Sequence, residues 1–129
     1  MTDLIPAPRQ LALAQRFAVA LAARDADALG AVCTDDVSWT VPGTGAVAGV
    51  HTGVGGILAV QAAFGGITAT IEKILYGRDS VIALLHETGD RDGRHLDVHV
   101  ALVLSLRGDR IRALTGHISD LEAFSAFVG

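Results

Sequence analysis

Four of the five histidines in this 129-residue chain fall between positions 86 and 117, and that half of the sequence holds the residues best suited to moving protons. A free imidazole titrates near neutral pH, so it can take a proton from a substrate and return it. His117 is the first candidate for an acid–base residue, and His86 the second. His99 and Asp97, in the stretch H-L-D-V-H, complete the catalytic set read from the sequence. That stretch also puts His95, Asp97 and His99 on one face of a strand, which raises zinc. There is no H-x-x-x-H on a helix and no C-x-x-C, so neither a metal nor any other cofactor is expected.

These side chains need a rigid support, and the stretch His95–Asp120 supplies one. Two apolar runs flank Arg107-Gly108-Asp109-Arg110, and Gly at the first central position suits a type II′ hairpin turn. Leu96, Val98, Val100, Leu102, Leu104 and Leu106 share one parity and form an apolar face, while His95, Asp97 and His99 point the other way. The register decides where His117 stands. A two-residue loop places it beside Val100; a bulged three-residue loop places it beside His99.

Upstream, residues 1–8 carry two prolines and read as a loose arm. Arg9–Ala23 has a helical stripe of Leu13, Phe17, Ala20 and Leu21, followed by a short helix that Asp25 can cap. Thr34-Asp35-Asp36 should break this helix, before a strand from Val37 to Val41. The glycine-rich segment 43–66 lacks the spacing of a phosphate loop and reads as a loop leading into a third helix, from about Thr52 to Phe64. Strands are expected at Ile67–Tyr76 and Val81–Thr88, with a polar turn over Gly89–Gly93. Leu121–Val128 should form a terminal helix capped by Asp120. Helices followed by a meander imply an α+β fold, with a curved, mostly antiparallel sheet wrapped around the N-terminal helices.

Composition bounds the function. One domain is expected from the length. A formal charge of −4 with dispersed Lys and Arg excludes an electrostatic footprint for nucleic acid. No apolar run is long enough to span a membrane, no secretion signal is legible, and a cytoplasmic protein is expected. The lone Cys33 reads as a small core residue. A mean hydropathy of +0.45 is high for a small monomer. It suggests either an internal cavity for a hydrophobic small molecule or a subunit interface. Apolar residues on both strand faces, Val103 and Leu114 beside Leu102, Leu104 and Leu106, point to a homodimer formed through the sheet. His51 and His95 are expected at the surface.

The segment AQRFAVALAARDADALGAVCTDDVSWTVPG resembles the opening of the nuclear transport factor 2-like superfamily. LRGDRIRALTGHISDLEAF resembles its last strand, above all in the SnoaL-like and ketosteroid isomerase-like branches. The resemblance implies a conical half-barrel around a deep apolar pocket, with Trp39, Phe17, Val41, Leu84, Thr115 and Phe64 as its walls. Ketosteroid isomerases place a tyrosine and two aspartates where this chain has Phe17, Val41 and Ala101, so steroid isomerisation is not implied. Limonene epoxide hydrolase-like members place Arg-x-Asp and a last-strand aspartate where Leu84, His86 and His117 stand. SnoaL-like cyclases carry a histidine and an acid, and scytalone dehydratase-like members two histidines. The implied activity is cofactor-independent cyclisation, isomerisation, hydration or dehydration of an apolar, oxygenated ring compound. Imidazoles of His117 and His86 sharing one cavity, enclosed by Leu84, Val100 and Leu102, would carry it. A binding module of the same fold is the alternative, and an epoxide hydrolase the third.

Overall fold

The computed structural model describes residues 5–129. Helix α1 (Ala7–Ala22) starts two residues before the expected position, because Pro8 fits the first helical turn, where its missing N–H is not needed. Of the proposed arm, residues 1–4 lie outside the described residues. Gln10, Leu13, Phe17 and Ala20 are the buried stripe of α1. Helix α2 (Ala26–Val32) is capped by Asp25, whose carboxylate accepts from the Ala28 amide at 3.0 Å. Strand β1 (Cys33–Val41) follows directly. The helix ends before Thr34-Asp35-Asp36 as expected, but the strand begins four residues earlier than Val37: these residues are already extended, with a register shift between Cys33 and Ser38 against the strand at Arg110–Ile118.

The glycine-rich loop holds one short strand that its composition hid, β2 (Gly49–Thr52), which pairs with β1. Helix α3 (Gly53–Ala63) then leads into β3 (Ile67–Tyr76), β4 (Ser80–Arg91), β5 (Arg94–Arg107) and β6 (Arg110–Ile118). Helix α4 (Leu121–Val128) closes the chain. Asp120 caps it as expected, accepting from the Ala123 amide at 3.0 Å. The strands form one curved, unclosed sheet in the order β2-β1-β6-β5-β4-β3, antiparallel except where β1 meets β6. The result is an α+β half-barrel.

Strand β4 runs three residues past the expected end. Its turn is Asp92-Gly93, and both residues have positive φ (53° and 78°), as a type I′ hairpin requires. Gly89 therefore belongs to the strand. A Cβ there would lie 2.5 Å from the Gly66 carbonyl oxygen, so only glycine lets β3 and β4 approach at this point.

The inner sheet face carries Val37, Trp39, Val41, Val81, Ala83, Leu85, Val98, Val100, Leu104 and Leu114, all buried with the helices packed on them. At about 25 cal/mol per Å2 of apolar surface removed from water, burying this face against the helices contributes to the driving force for folding. Cys33 is 1% exposed, and burial pushes its thiol up to about 11, as befits an inert core residue.

Candidate functional site

A cavity of about 370 Å3 opens between the inner sheet face and the ends of α1 and α3. This is the size of many small-molecule sites. Its deep wall is aromatic. Trp39 meets Phe64 edge to face at 5.8 Å, and Phe64 meets Phe124 at 5.6 Å. Val41, Leu85, Val100, Leu102 and Ile118 continue the apolar lining. Gly116 widens the space: a Cβ there would stand 3.6 Å from Pro42 Cδ, an ordinary contact. Arg24, Gly65 and Gly66 are exposed lining residues and form the rim.

One acid stands in this apolar setting. Glu87 is 9% exposed, and desolvation alone raises its carboxyl above the usual glutamate range. Neither a hydrogen bond nor a neighbouring charge offsets that burial. Glu87 is on the inner face because β4 alternates strictly: Val81, Ala83, Leu85 and Glu87 are buried, and Ile82, Leu84, His86 and Thr88 take the other side. Sequence reading missed it. Both parities of β4 are apolar, and His86 drew attention to the wrong one. The legible signal was that Glu87 shares its parity with Val81, Ala83 and Leu85.

Two further contacts fix the rim. The Gln61 amide donates to the Leu21 carbonyl, joining α3 to the last turn of α1, and its Oε1 is buried without a partner. Arg91 donates to the carbonyls of Ala63 (2.9 Å), Gly65 (3.2 Å), Phe127 (3.0 Å) and Val128 (3.1 Å) and lies over the Phe127 ring. One guanidinium thus closes the C-terminal ends of α3 and α4, which carry Phe64 and Phe124, where a positive charge complements both helix dipoles.

The four histidine–acid candidates are elsewhere. His86, His99 and Asp97 are brought together, but on the outer face. The two rings stack at 4.8 Å, His86 Nε2 is 2.7 Å from Asp97 Oδ1, and His99 Nδ1 is 3.1 Å from Glu72 Oε1. The hydrogen bond from His86 is the main cause holding the Asp97 carboxyl below its usual range. His117 is exposed, pairs across the strands with Ala101, and joins neither this group nor the cavity.

The cause is one bulge. The Gly108-Asp109 turn has two residues, with Gly108 alone at positive φ (61°), and Arg107 faces Arg110. The register slips at Arg112, so Ser105 faces Ala113 and every later residue of β6 changes sides. Without the slip His117 would face Val100 on the cavity side; with it, Gly116 and Ile118 take that side. Neither register weighed from sequence occurs. The shared imidazole cavity is therefore corrected: His117 and His86 both face outward, half-exposed or exposed, and are not enclosed.

Of the proposed walls, Trp39, Val41 and Phe64 line the cavity. Phe17 is buried in the core under α1 rather than in the lining, while Leu84 and Thr115 take the outer parity of their strands. His51 is half-buried instead of exposed, with Nε2 2.7 Å from the Val47 carbonyl; His95 is exposed beside Asp90, at 2.9 Å. Among the described residues no cluster of three or more His, Cys, Asp or Glu side chains could hold a metal, and no helix is long and apolar enough to cross a membrane.

Comparison with known proteins agrees with the fold. The family model described as "SnoaL-like domain" matches residues 14–114. The chain belongs to the SnoaL-like family. Its relatives include the uncharacterized protein Rv0034 of Mycobacterium tuberculosis, 34% identical over 123 residues, which cover 91% of this chain and 94% of that protein. Among solved structures, the SnoaL-like chain resembles Bal32a from a soil-derived mobile gene cassette, with a TM-score of 0.85 and 26% identity, over 95% of this chain and 98% of the other. It also resembles an NTF2-like protein from Burkholderia xenovorans LB400, with a TM-score of 0.82 and 19% identity, over 95% and 97%.

Proposed function

We propose that this SnoaL-like protein is a cofactor-independent enzyme that moves a proton within an apolar, oxygenated ring compound held in the cavity, with Glu87 as its acid–base group. The observation that carries the reading is the unpartnered, buried Glu87 carboxyl in an aromatic-lined cavity. Burying such a group costs free energy that folding alone does not require. Its raised pKa brings the neutral and charged forms closer in energy near neutral pH, the condition under which one group both takes and gives a proton.

The chemistry is balanced without a co-reactant. Glu87 carboxylate removes a proton from a carbon beside a carbonyl, and the C–H electron pair moves into an enolate. Glu87 then returns the proton to another carbon of the same molecule, which is isomerisation. If the enolate carbon instead attacks a second carbonyl, the C–C bond formed is a ring closure and the proton goes to the new alkoxide. Trp39 and Phe64 hold the ring, and the apolar lining excludes water.

The histidine candidates do not serve this step: His86, His99 and His117 are outside the cavity, and so are the epoxide hydrolase-like positions Leu84, His86 and His117. A non-catalytic binder remains the second reading, favoured by Phe17, Val41 and Ala101 at the isomerase positions. We also propose a homodimer packed through the outer sheet face, where Ile82, Leu84, Ala101 and Val103 make an apolar patch beside the His86–His99 stack.

The test is hydrogen exchange in D2O at the carbons flanking the carbonyl of 2-tetralone, followed by proton NMR. The wild-type protein should accelerate exchange, and Glu87→Gln should return it to the buffer rate. Equal rates for the two proteins would leave the binding module as the better reading.

A further inference from the structure

We propose that the ligand is an anion: an apolar ring compound carrying one carboxylate, with its charge on Arg24 at the rim and its ring against Trp39 and Phe64. This deepens the proposed function by naming a ligand class, and it rests on the cavity being the binding site.

Arg24 is the one cation in the cavity lining. It forms no ion pair with any described residue. The adjacent Asp25 carboxylate is committed to the Ala28 amide as the cap of α2. Glu87 does not take up the charge either, since no ionic partner contributes to its environment. The guanidinium is thus left at the mouth with its donors available, in a fork that matches a carboxylate.

The backbone supplies a second, independent observation. Arg24 is left-handed, with φ 52°. The Arg24 amide donates to Leu21 (3.1 Å) and the Asp25 amide to Ala20 (3.0 Å), the paired hydrogen bonds that end a helix at a residue usually glycine. The only other described non-glycine residue with positive φ is Asp92, which its hairpin turn explains. A long side chain at a glycine position stores strain of about 1 kcal/mol. Gln61 reinforces the arrangement by tying the Leu21 carbonyl to α3. The fold fixes the Arg24 backbone beside the cavity at a local cost, and a cation at the rim favours a ligand with an acidic oxygen.

Calorimetry with 2-naphthoate and its neutral counterpart 2-naphthamide separates the outcomes. The full chain should bind naphthoate roughly five- to tenfold more tightly at low salt, and the advantage should shrink as ionic strength rises. Arg24→Gly should abolish the advantage while the melting temperature stays level or rises, because glycine suits the left-handed position. Arg24→Lys should keep part of the advantage. Equal binding of acid and amide by the wild type, or an advantage that survives Arg24→Gly, would overturn the inference and leave the Glu87 reading standing. Binding of neither probe would overturn the inference together with the cavity on which it rests.

Discussion

At the scale of single residues, the chemistry comes down to which side of a strand a group occupies. His86 and Glu87 are neighbours in sequence, yet the pleat sends the imidazole to an outer ion pair and the carboxyl to an apolar cavity. Burial then gives Glu87 a signature in stability. A carboxyl whose folded pKa is raised disfavours the folded state once it ionises, so stability should fall as pH rises from the ordinary glutamate range through the folded value, then level off. Glu87→Gln removes that loss. Its melting temperature should exceed that of the wild type at pH 8 and match it near pH 4, by scanning calorimetry. A variant that is less stable at both pH values would mean Glu87 has a structural partner.

The secondary-structure elements were partly legible in the sequence, and the failures have physical causes. The stripe of α1, the caps Asp25 and Asp120, the apolar parity of β5 and the two-residue turn at Gly108 all follow from local rules, and all are present. The bulge at Arg112 follows from no such rule: no turn residue or break in the apolar pattern marks it, and it lies where β6 is paired on both sides, with β1 and β5. That one residue moved His117 out of the site and Gly116 and Ile118 into it. β2 was hidden because its glycine-rich surroundings read as loop, and Glu87 because both faces of β4 are apolar. Trp39, Val41 and Phe64, which the family resemblance implied as walls, line the cavity, while Phe17 and Leu84, implied in the same way, do not. A consequence at this scale concerns Arg91. Its four carbonyl partners need a planar fork that a lysine cannot reproduce. Arg91→Lys should cost about 2–3 kcal/mol by urea denaturation and weaken 2-naphthamide binding by loosening Phe64 and Phe124. Unchanged binding with lowered stability would limit Arg91 to holding the fold.

For the molecule as a whole, the sheet has an inner face committed to the core and an outer face only half-covered by its own side chains. Leu114, expected among the residues of a subunit interface, is fully buried inside. Val103, expected there too, does face outward, with Ile82, Leu84 and Ala101. Packing that patch on a second copy should bury upwards of roughly 1,000 Å2. Sedimentation at micromolar concentration should report about twice the 13.3 kDa chain mass, and Val103→Glu should return a monomer, since a charge opposite its symmetry mate cannot be paired. A 13 kDa species for the wild type would remove the dimer without touching the cavity.

The central claim, that Glu87 is a titrating acid inside a ligand cavity, is met most directly by carbon-detected NMR titration of the Glu87 carboxyl in protein labelled at its glutamate side chains, with Glu87→Gln identifying the resonance. The carboxyl should titrate above the ordinary glutamate range in the free protein, and higher still when 2-naphthamide fills the cavity and excludes the remaining water. A Glu87 carboxyl that titrates with the other glutamates and does not respond to the ligand would contradict the account.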